Sequence, residues 1–173
     1  CPTETPEGQS VGVVKNLAMT CEITNEIPED IILYYINKYI INLNDIDIFT
    51  ENKNNYIKIF VNGIWIGYTI EPNDLYNDFK KYRYENLIHH YCSIYWDYID
   101  NSIFIFSDRG RCIRPLILYK DNYNINLDLL KNKSWNDLLL NNNYNNKYIE
   151  YIDIHETNNI LISNKLSQAI EKT

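Results

Sequence analysis

The stretch YIKIFVNGIWIGY, residues 56–68, decides the centre of the fold. Its first half alternates as a β-strand does, and IWIGY has the composition of a second strand. Asn62-Gly63 stands between them, and both residue types accept the positive φ that a two-residue hairpin turn requires. The sequence therefore predicts an antiparallel hairpin in the middle of the chain.

Helices are predicted on both sides of this hairpin. Residues 28–30 place proline and two acids at a helix start, and apolar residues recur at helical spacing over 31–40. Residues 71–86, which begin with Glu-Pro, predict a second helix. The Ser-x-x-Asp pattern at the start of 134–140 resembles a capping box and predicts a short third helix.

Further strands complete the predicted structure. Residues 91–107 predict two strands joined at Asp100-Asn101, and CIRPLILY, residues 112–119, predicts a third. Two more short strands are predicted near 148–154 and 160–163. The predicted fold class is α+β, with antiparallel hairpins and a few short helices.

Two parts are predicted along the chain, residues 1–27 and residues 28–173. Residues 1–10 are polar and rich in turn formers, and residues 11–24 are predicted to be extended and mostly buried. A compact lobe follows. The Asn-rich run at 141–146 is interpreted as a solvated loop.

Charge and composition restrict the possible functions. The net charge is −7, from 16 basic and 23 acidic residues. Because affinity for the phosphate backbone comes mainly from Lys and Arg, any contact with nucleic acid must be local or must use positive charge from partner chains. The abundance of Ile, Asn and Tyr, which have A/T-rich codons, indicates a base-skewed genome, such as that of a protist or a large DNA virus.

The four cysteines, at positions 1, 21, 92 and 112, form no CxxC pair, so no zinc site is predicted. Without a secretory signal they indicate a reducing, intracellular compartment. No apolar run approaches the roughly 20 residues of a membrane span. Because the chain starts at Cys1 and not at Met, we expect a fragment or a processed product. Cys1 as the first residue after an excised intein and Cys1 as an arbitrary boundary both remain open.

The most informative motif is CPTETPEGQSVGVVKNLA, residues 1–18. It resembles the segment CP-x-ETPEG-x-x-x-G-[LV]-[VI]-[KN]-[NS]-L of the second-largest subunits of nuclear and viral DNA-directed RNA polymerases, with about sixteen residues agreeing in order. Three further anchors follow in family order: IFVNGIWIG at 59–67, SDRGRCIRPL at 107–116, and WNDLL at 135–139 with YIEYIDIHETNNILIS at 148–163. Arg109 stands where the family usually has alanine.

The resemblance implies part of a DNA-directed RNA polymerase, a nucleotidyltransferase complex, in which residues 1–27 belong to the fork region and the rest to the lobe called external 2. It implies the largest subunit, the other polymerase subunits, the DNA template and the RNA–DNA hybrid as partners, and no membrane. The residue identities in the motif favour polymerase II or a viral homologue. The expected location is therefore the nucleus, a cytoplasmic viral factory or a virion. Mg²⁺ is expected mainly on the largest subunit, and neither a cofactor nor a catalytic residue is expected in this fragment.

The resemblance also implies which residues lie near nucleic acid: Glu7, Gly8 and Gln9, followed by Lys15 and Asn16. Gln9 can donate and accept hydrogen bonds without charge, and Lys15 can neutralise a phosphate. Acidic side chains of this segment are expected to accept hydrogen bonds that hold its shape. The residues assigned to structural motifs are Glu4, Thr5, Pro6, Gly12, Asn62, Gly63, Asp108, Gly110, Arg111 and Arg114.

Several patterns allow two interpretations. Arg111 and Arg114 could touch nucleic acid, but we favour arginines that tie the lobe together through buried carbonyls or carboxylates. The three tryptophans could be stacking platforms, but packing is favoured because they stand among apolar and acidic residues. His89-His90 beside Cys92 is a weak candidate for a metal site. For the whole chain, the alternative function is an independent, acidic α+β interaction module.

Overall fold

The computed structural model describes residues 4–42, 56–118, 134–139 and 148–163. Predictions for Cys1, for the Asn-rich loop, for Tyr119 and for Leu140 lie outside the described residues. The described helices are α1 (Glu29–Ile36), α2 (Pro72–Tyr84) and α3 (Trp135–Leu139). The described strands are β1 (Glu22–Ile23), β2 (Ile57–Val61), β3 (Ile64–Thr69), β4 (Ser93–Asp97), β5 (Ser102–Phe106), β6 (Cys112–Ile117) and β7 (Ile149–Asp153). The predicted α+β class is confirmed.

A four-stranded sheet in the order β3-β2-β5-β4 forms the centre of the lobe. The predicted β2–β3 hairpin is confirmed, and β4 pairs antiparallel with β5. The two hairpins are joined by a parallel pair, β2 with β5, in which Lys58 lies opposite Ser102. The sequence prediction named antiparallel hairpins only. The parallel pair arises because α2, between β3 and β4, is long enough to return the chain in the same direction.

The turn of the β2–β3 hairpin is held by its own side chain. Asn62 and Gly63 have φ values of +47° and +83°, as a type I′ turn requires. The Asn62 amide donates to the Glu29 carboxylate (2.7 Å) and to the Ser107 hydroxyl (2.9 Å). Its carbonyl oxygen accepts from Ser107 N (2.8 Å). The turn is thereby attached to the start of α1 and to the end of β5.

One face of this sheet carries the core of the lobe. Alternate residues of β2, β4 and β5 point toward α1 and α2, whose buried residues are spaced one helical turn apart, as burial of one helix stripe requires. Rings occupy part of the opposite face: Phe60 stacks on Phe104, with centroids 5.0 Å apart. The main core residues are Ile32, Ile36, Ile59, Val61, Leu75, Phe79, Ile94, Trp96, Ile103 and Ile105.

A second sheet, in the order β1-β6-β7, joins the opening segment to the lobe. β1 pairs with the start of β6, where Glu22 lies opposite Ile113. β6 pairs antiparallel with β7 over its whole length. This sheet therefore joins the segment before α1 to β6 and β7.

The predicted strand at 160–163 is wrong. A 3-10 helix, Glu156–Asn159, follows β7, and residues 160–163 have no regular structure. The Thr157 hydroxyl donates to Ile154 O within this turn, and the Asn159 side chain bonds to both N and O of Trp96 in β4, so side-chain contacts replace continued strand pairing here. None of the helices in the described ranges has the length and apolar character needed to cross a bilayer.

Candidate nucleic-acid interface

Residues 4–16, here called the ETPEG loop, form a compact series of turns. Glu7 is extended (φ −81°, ψ 154°) and leads into the 3-10 turn Gly8–Ser10. Val11 N donates to Gly8 O (3.2 Å) and Val13 N donates to Ser10 O (3.1 Å). These short-range bonds allow the loop to keep its shape without strand pairing.

Two glycines set the path of this loop. Gly8 and Gly12 have φ values of +86° and +78°, in the left-handed region where a side chain costs about 1–2 kcal/mol. A Cβ at either position would meet no described atom within 4 Å. Within the described residues, the backbone conformation and not crowding therefore requires glycine, and the space beside both residues is open to another molecule.

The loop is closed by Asn16, whose side-chain amide donates to the backbone oxygen of Glu4 (3.2 Å). The sequence interpretation expected Glu4 and Glu7 to hold the loop by accepting hydrogen bonds from backbone or from arginine on neighbouring elements, and the described residues do not supply such bonds. The carboxylates of Glu4 and Glu7 are exposed and accept no hydrogen bond there. Short-range backbone turns and the Asn16 amide, which reaches back 12 residues to Glu4, hold the loop.

The predicted nucleic-acid-proximal residues are all on this loop. Glu7, Gly8, Gln9 and Lys15 are exposed, and Asn16 is half-buried. The structure thus leaves most of this loop exposed. Its charge is mixed, with one lysine beside exposed carboxylates.

The prediction that residues 11–24 are mostly buried is wrong. Val13 is 78% exposed and Met19 is 102% exposed, and Val11, Val14 and Leu17 are more than half exposed. The physical reason is that the described elements pack their apolar faces on each other and leave none facing this segment. Burial begins at Thr24, which is 2% exposed.

The turn between β5 and β6, residues 107–111, receives the opening segment. Thr24 N donates to Arg111 O and Gly110 N donates to Thr24 O, both at 2.9 Å. The Thr24 hydroxyl donates to Asp108 O (3.0 Å) and accepts from Arg111 N (3.1 Å). Ile27 N adds a bond to Ser107 O (2.9 Å). Sequence reasoning missed Thr24, because its partners are more than 80 residues away.

Arg111 holds this turn to both sheets. Its guanidinium donates to the Asp108 carboxylate (2.6 Å), to the Asp153 carboxylate of β7 (3.1 Å) and to the Ser93 hydroxyl of β4 (2.8 Å). It also donates to the backbone oxygen of Tyr91 (2.6 Å). A planar group with five donors is suited to such a junction.

Arg114 behaves differently from Arg111. It lies on β6 opposite Ile152, its side chain is exposed, and it makes no hydrogen bond or ion pair with the described residues. The interpretation that both arginines tie the lobe together is therefore wrong for Arg114. The cause is strand alternation, which turns residue 114 away from the side that 113 buries. Arg109 is an exposed charge at the turn.

A buried ion cluster that sequence reasoning missed lies between α2 and the end of the chain. Arg83 donates to both carboxylate oxygens of Glu156 (2.9 and 2.6 Å) and to Glu150. Tyr84 donates to the other Glu150 oxygen (2.7 Å). Burial acts to raise the pKa of Glu150, but the Arg83 guanidinium outweighs it and holds that pKa below its ordinary value.

A signal for this cluster exists in the sequence. Leu75, Phe79 and Arg83 are spaced four residues apart, so Arg83 continues the buried stripe of α2. Glu150 interrupts the apolar run of β7, every residue of which is buried. When one element carries a charged residue at a core position and another element carries the opposite charge at a core position, the two residues are predicted to form a buried ion pair.

The aromatic and metal alternatives can be placed as well. Trp96 is buried in the core, whereas Trp65 and Trp135 are partly exposed. Trp65 donates to the backbone oxygen of Gly67 (3.1 Å), as a packed edge residue does. Cys92 is buried and burial raises the pKa of its thiol to about 11. In the described ranges no three His, Cys, Asp or Glu side chains group as metal ligands.

Comparison with known proteins agrees with this architecture. The family "RNA polymerase Rpb2, domain 3" matches residues 1–23, and "RNA polymerase Rpb2, domain 4" matches residues 59–120. The first match contains the ETPEG loop and the second contains the β2–β3 hairpin and the 107–111 turn.

Curated relatives match nearly the whole chain. They include the RNA polymerase III subunit RPC2 of Drosophila melanogaster (28% identity, 100% of this chain) and the RNA polymerase II subunit RPB2 of Meyerozyma guilliermondii (30%, 94% of this chain). The RNA polymerase subunit 2 of Acanthamoeba polyphaga mimivirus is 31% identical over 94% of this chain. The chain spans 14–15% of the length of these relatives.

These matches define the class as a piece of a large subunit of a DNA-directed RNA polymerase. Within that class the chain belongs to the Rpb2 family of second-largest subunits, of which it carries sequence of two consecutive domains. Relatives of the polymerase II, polymerase III and viral types have similar identities, from 28 to 31%, so identity alone does not rank them. An independent module with no role in transcription receives no support from these matches.

Proposed function

We propose that this chain, as part of the second-largest subunit of a DNA-directed RNA polymerase, provides scaffold on the side of the enzyme that faces the RNA–DNA hybrid. The observation that carries the proposal is the ETPEG loop: it is exposed, closed by Asn16 and shaped by two glycines with open space beside them. A loop that served only its own lobe would not need this exposed and defined shape. Residues 28–173 would then be the external 2 lobe that supports it.

The surface of the loop indicates how it would meet nucleic acid. Glu4 and Glu7 repel phosphate, whereas Lys15 attracts it, so a continuous phosphate track is not formed here. Gln9 offers an uncharged amide that can bond to a sugar or base edge. We therefore propose a contact of one or two nucleotides, made by Gln9 and Lys15, in a site that other subunits complete with positive charge.

The chemistry of nucleotide addition is proposed for the complete polymerase. The Mg²⁺ ions of that reaction would be held mainly by the largest subunit, and the described residues of this chain offer no ligand set that fits them. The partners proposed are therefore the largest subunit, the other polymerase subunits, the template DNA and the hybrid. The proposed location is the nucleus, or a viral factory or virion if the source is a large DNA virus.

A test uses matched glycine variants in the complete polymerase. Gly8→Val forces a β-branched residue into a left-handed conformation at the proposed contact, and Gly63→Val does the same in the lobe hairpin (φ +83°, open space at Cβ). We expect Gly8→Val to slow transcript elongation while assembly stays intact, and Gly63→Val to affect stability more than elongation.

A photo-crosslinking amino acid at Gln9 should label RNA or template DNA in a stalled elongation complex. The same probe at Ile99, on the exposed β4–β5 turn, provides the comparison. Normal elongation by Gly8→Val together with no crosslink from Gln9 would show that the loop does not face the hybrid.

A further inference from the structure

The opening segment is attached to the lobe at one short site. In the described residues, the backbone hydrogen bonds upstream of Cys21 run within the segment itself, from Val11 and Val13 to the preceding turn. Attachment to the lobe begins with the two-residue pairing of β1 with β6 and ends with the Ile27–Ser107 bond. The position of the ETPEG loop therefore depends on this short stretch.

Thr24 is the centre of that attachment. It is 2% exposed, and its N–H, its carbonyl and both functions of its hydroxyl are bonded to the turn at 108–111. A hydroxyl that donates to one backbone group and accepts from another of the same turn fixes both the distance and the direction of approach. Valine has the same shape but would leave Asp108 O and Arg111 N without these partners.

The turn itself is fixed to the body of the lobe. Arg111 ties it to β7 through Asp153 and to β4 through Ser93. Asp153 is in turn bonded to Glu156 N (2.8 Å), at the start of the 3-10 helix. A displacement of the lobe strands at this junction would therefore move Thr24 with them.

We propose that Thr24 is a positioning residue: through the 107–111 turn and Arg111 it sets the direction in which the opening segment leaves the lobe, and so where the ETPEG loop stands. The consequence for transcription rests on the proposed function, in which that loop faces the hybrid. Arg111 acts in the same role from the lobe side. Neither residue needs to touch nucleic acid for this.

The test compares two buried threonines in the complete polymerase. Thr24→Val is matched by Thr69→Val. Thr69 is 1% exposed, and its hydroxyl also accepts a backbone hydrogen bond, from Glu71 N (3.2 Å), but it lies at the end of β3 and not at the 107–111 turn. Thr24→Ser keeps the hydroxyl and should restore wild-type behaviour. The first readout is amide hydrogen exchange, which detects local opening even when the open state is rarely populated.

For Thr24→Val we expect amide exchange in residues 22–27 and 107–112 to rise roughly thirtyfold, the effect of losing the two hydrogen bonds that the Thr24 hydroxyl makes. Thr69→Val should raise exchange only near the start of α2. The second readout is the crosslink yield from the probe at Gln9, which should fall for Thr24→Val and spread over neighbouring nucleotides.

The outcomes separate the two proposals. Unchanged exchange at 107–112 in Thr24→Val, or a crosslink map that changes no more than in Thr69→Val, would overturn the positioning role. If exchange rises as expected but wild-type Gln9 labels no nucleic acid, the attachment is correct and the proposed function of the loop is wrong.

Discussion

Replacing Arg83 with methionine tests the buried ion cluster. Arg83 is 1% exposed and bonds Glu150 and Glu156, which are 8% and 0% exposed at their side chains. Methionine fills a similar volume without charge. The variant would leave two buried carboxylates, with Lys80, 3.9 Å from Glu156, as the remaining cation in the described cluster.

The magnitude follows from what a stranded carboxylate can do. Removing one partner of a buried ion pair typically costs about 3–5 kcal/mol. A stranded glutamate can also take up a proton, which at pH 7 costs about 3.7 kcal/mol from an ordinary pKa of about 4.3, and at pH 5 only about 1 kcal/mol. We therefore expect Arg83→Met to lower the free energy of unfolding by about 3–5 kcal/mol at pH 7, with a loss about 2–3 kcal/mol smaller at pH 5.

The sign of this pH dependence differs from that of Glu150 in the wild type. The wild-type Glu150 pKa is lowered, so its contribution to stability is present above the ordinary glutamate pKa and is lost only as pH falls through the lowered value. In the variant a stranded carboxyl has a raised pKa, so its penalty is largest at high pH and shrinks as pH falls. Burial raises the pKa of the wild-type Glu156 and so opposes the Glu150 trend. Between pH 5 and 7 the variant should respond more strongly than the wild type, because both of its carboxylates lack Arg83.

The assay is urea unfolding of the 173-residue chain at pH 5, 6 and 7, followed by tryptophan fluorescence. Lys38→Met is the matched control, because its pair with Asp78 (2.7 Å) is exposed and should matter little at any pH. The double variant Arg83→Met, Glu156→Gln should recover part of the loss at pH 7. An equal loss of stability at pH 5 and pH 7 would refute the reasoning, since it would mean that no stranded charge was created.

Two further predictions concern the hairpin turn and the thiols. Asn62→Ala should lower the free energy of unfolding by roughly 2–3 kcal/mol, against about 1 kcal/mol for Asn101→Ala. Both residues have left-handed backbones (φ +47° and +48°), but replacing Asn62 also removes its side-chain amide hydrogen bonds. Equal losses in urea unfolding would contradict this. At pH 8 iodoacetamide should label the exposed Cys112 and not the buried Cys92. Burial raises the pKa of the Cys92 thiol to about 11, so only about one thousandth of the Cys92 side chains are thiolate at pH 8. Mass spectrometry before and after urea checks this, and equal labelling of the two native thiols would be the contrary result.

Local patterns predicted most of the elements correctly. The β2–β3 hairpin followed from Asn62-Gly63, whose φ requirements act within two residues, and α2 followed from its Glu-Pro start. The strand predicted at 160–163 failed because an apolar run is compatible with several structures when no neighbouring strand is specified.

The candidate interface could be located but not described from the sequence. The motif at 1–18 identified the ETPEG loop, and the structure shows that loop as a closed unit. The exposure of its apolar neighbours was predicted wrongly, because a buried-looking composition does not say which polypeptide does the burying. The charged cluster around Arg83 was missed because its partners lie on other elements.

The sequence by itself determined the α+β class, the positions of the hairpins and helices, and the Rpb2 family. Turn residues, hydrophobic periodicity and motif residues are all properties of short stretches of sequence, which is why they could be recognised without the structure. Only the tertiary structure decided how the parts are joined. Thr24 meets a turn 84 residues away, and Arg83 meets a carboxylate 73 residues away. Such contacts depend on how the helices and the two sheets pack together, and no pattern within a short window specifies that packing.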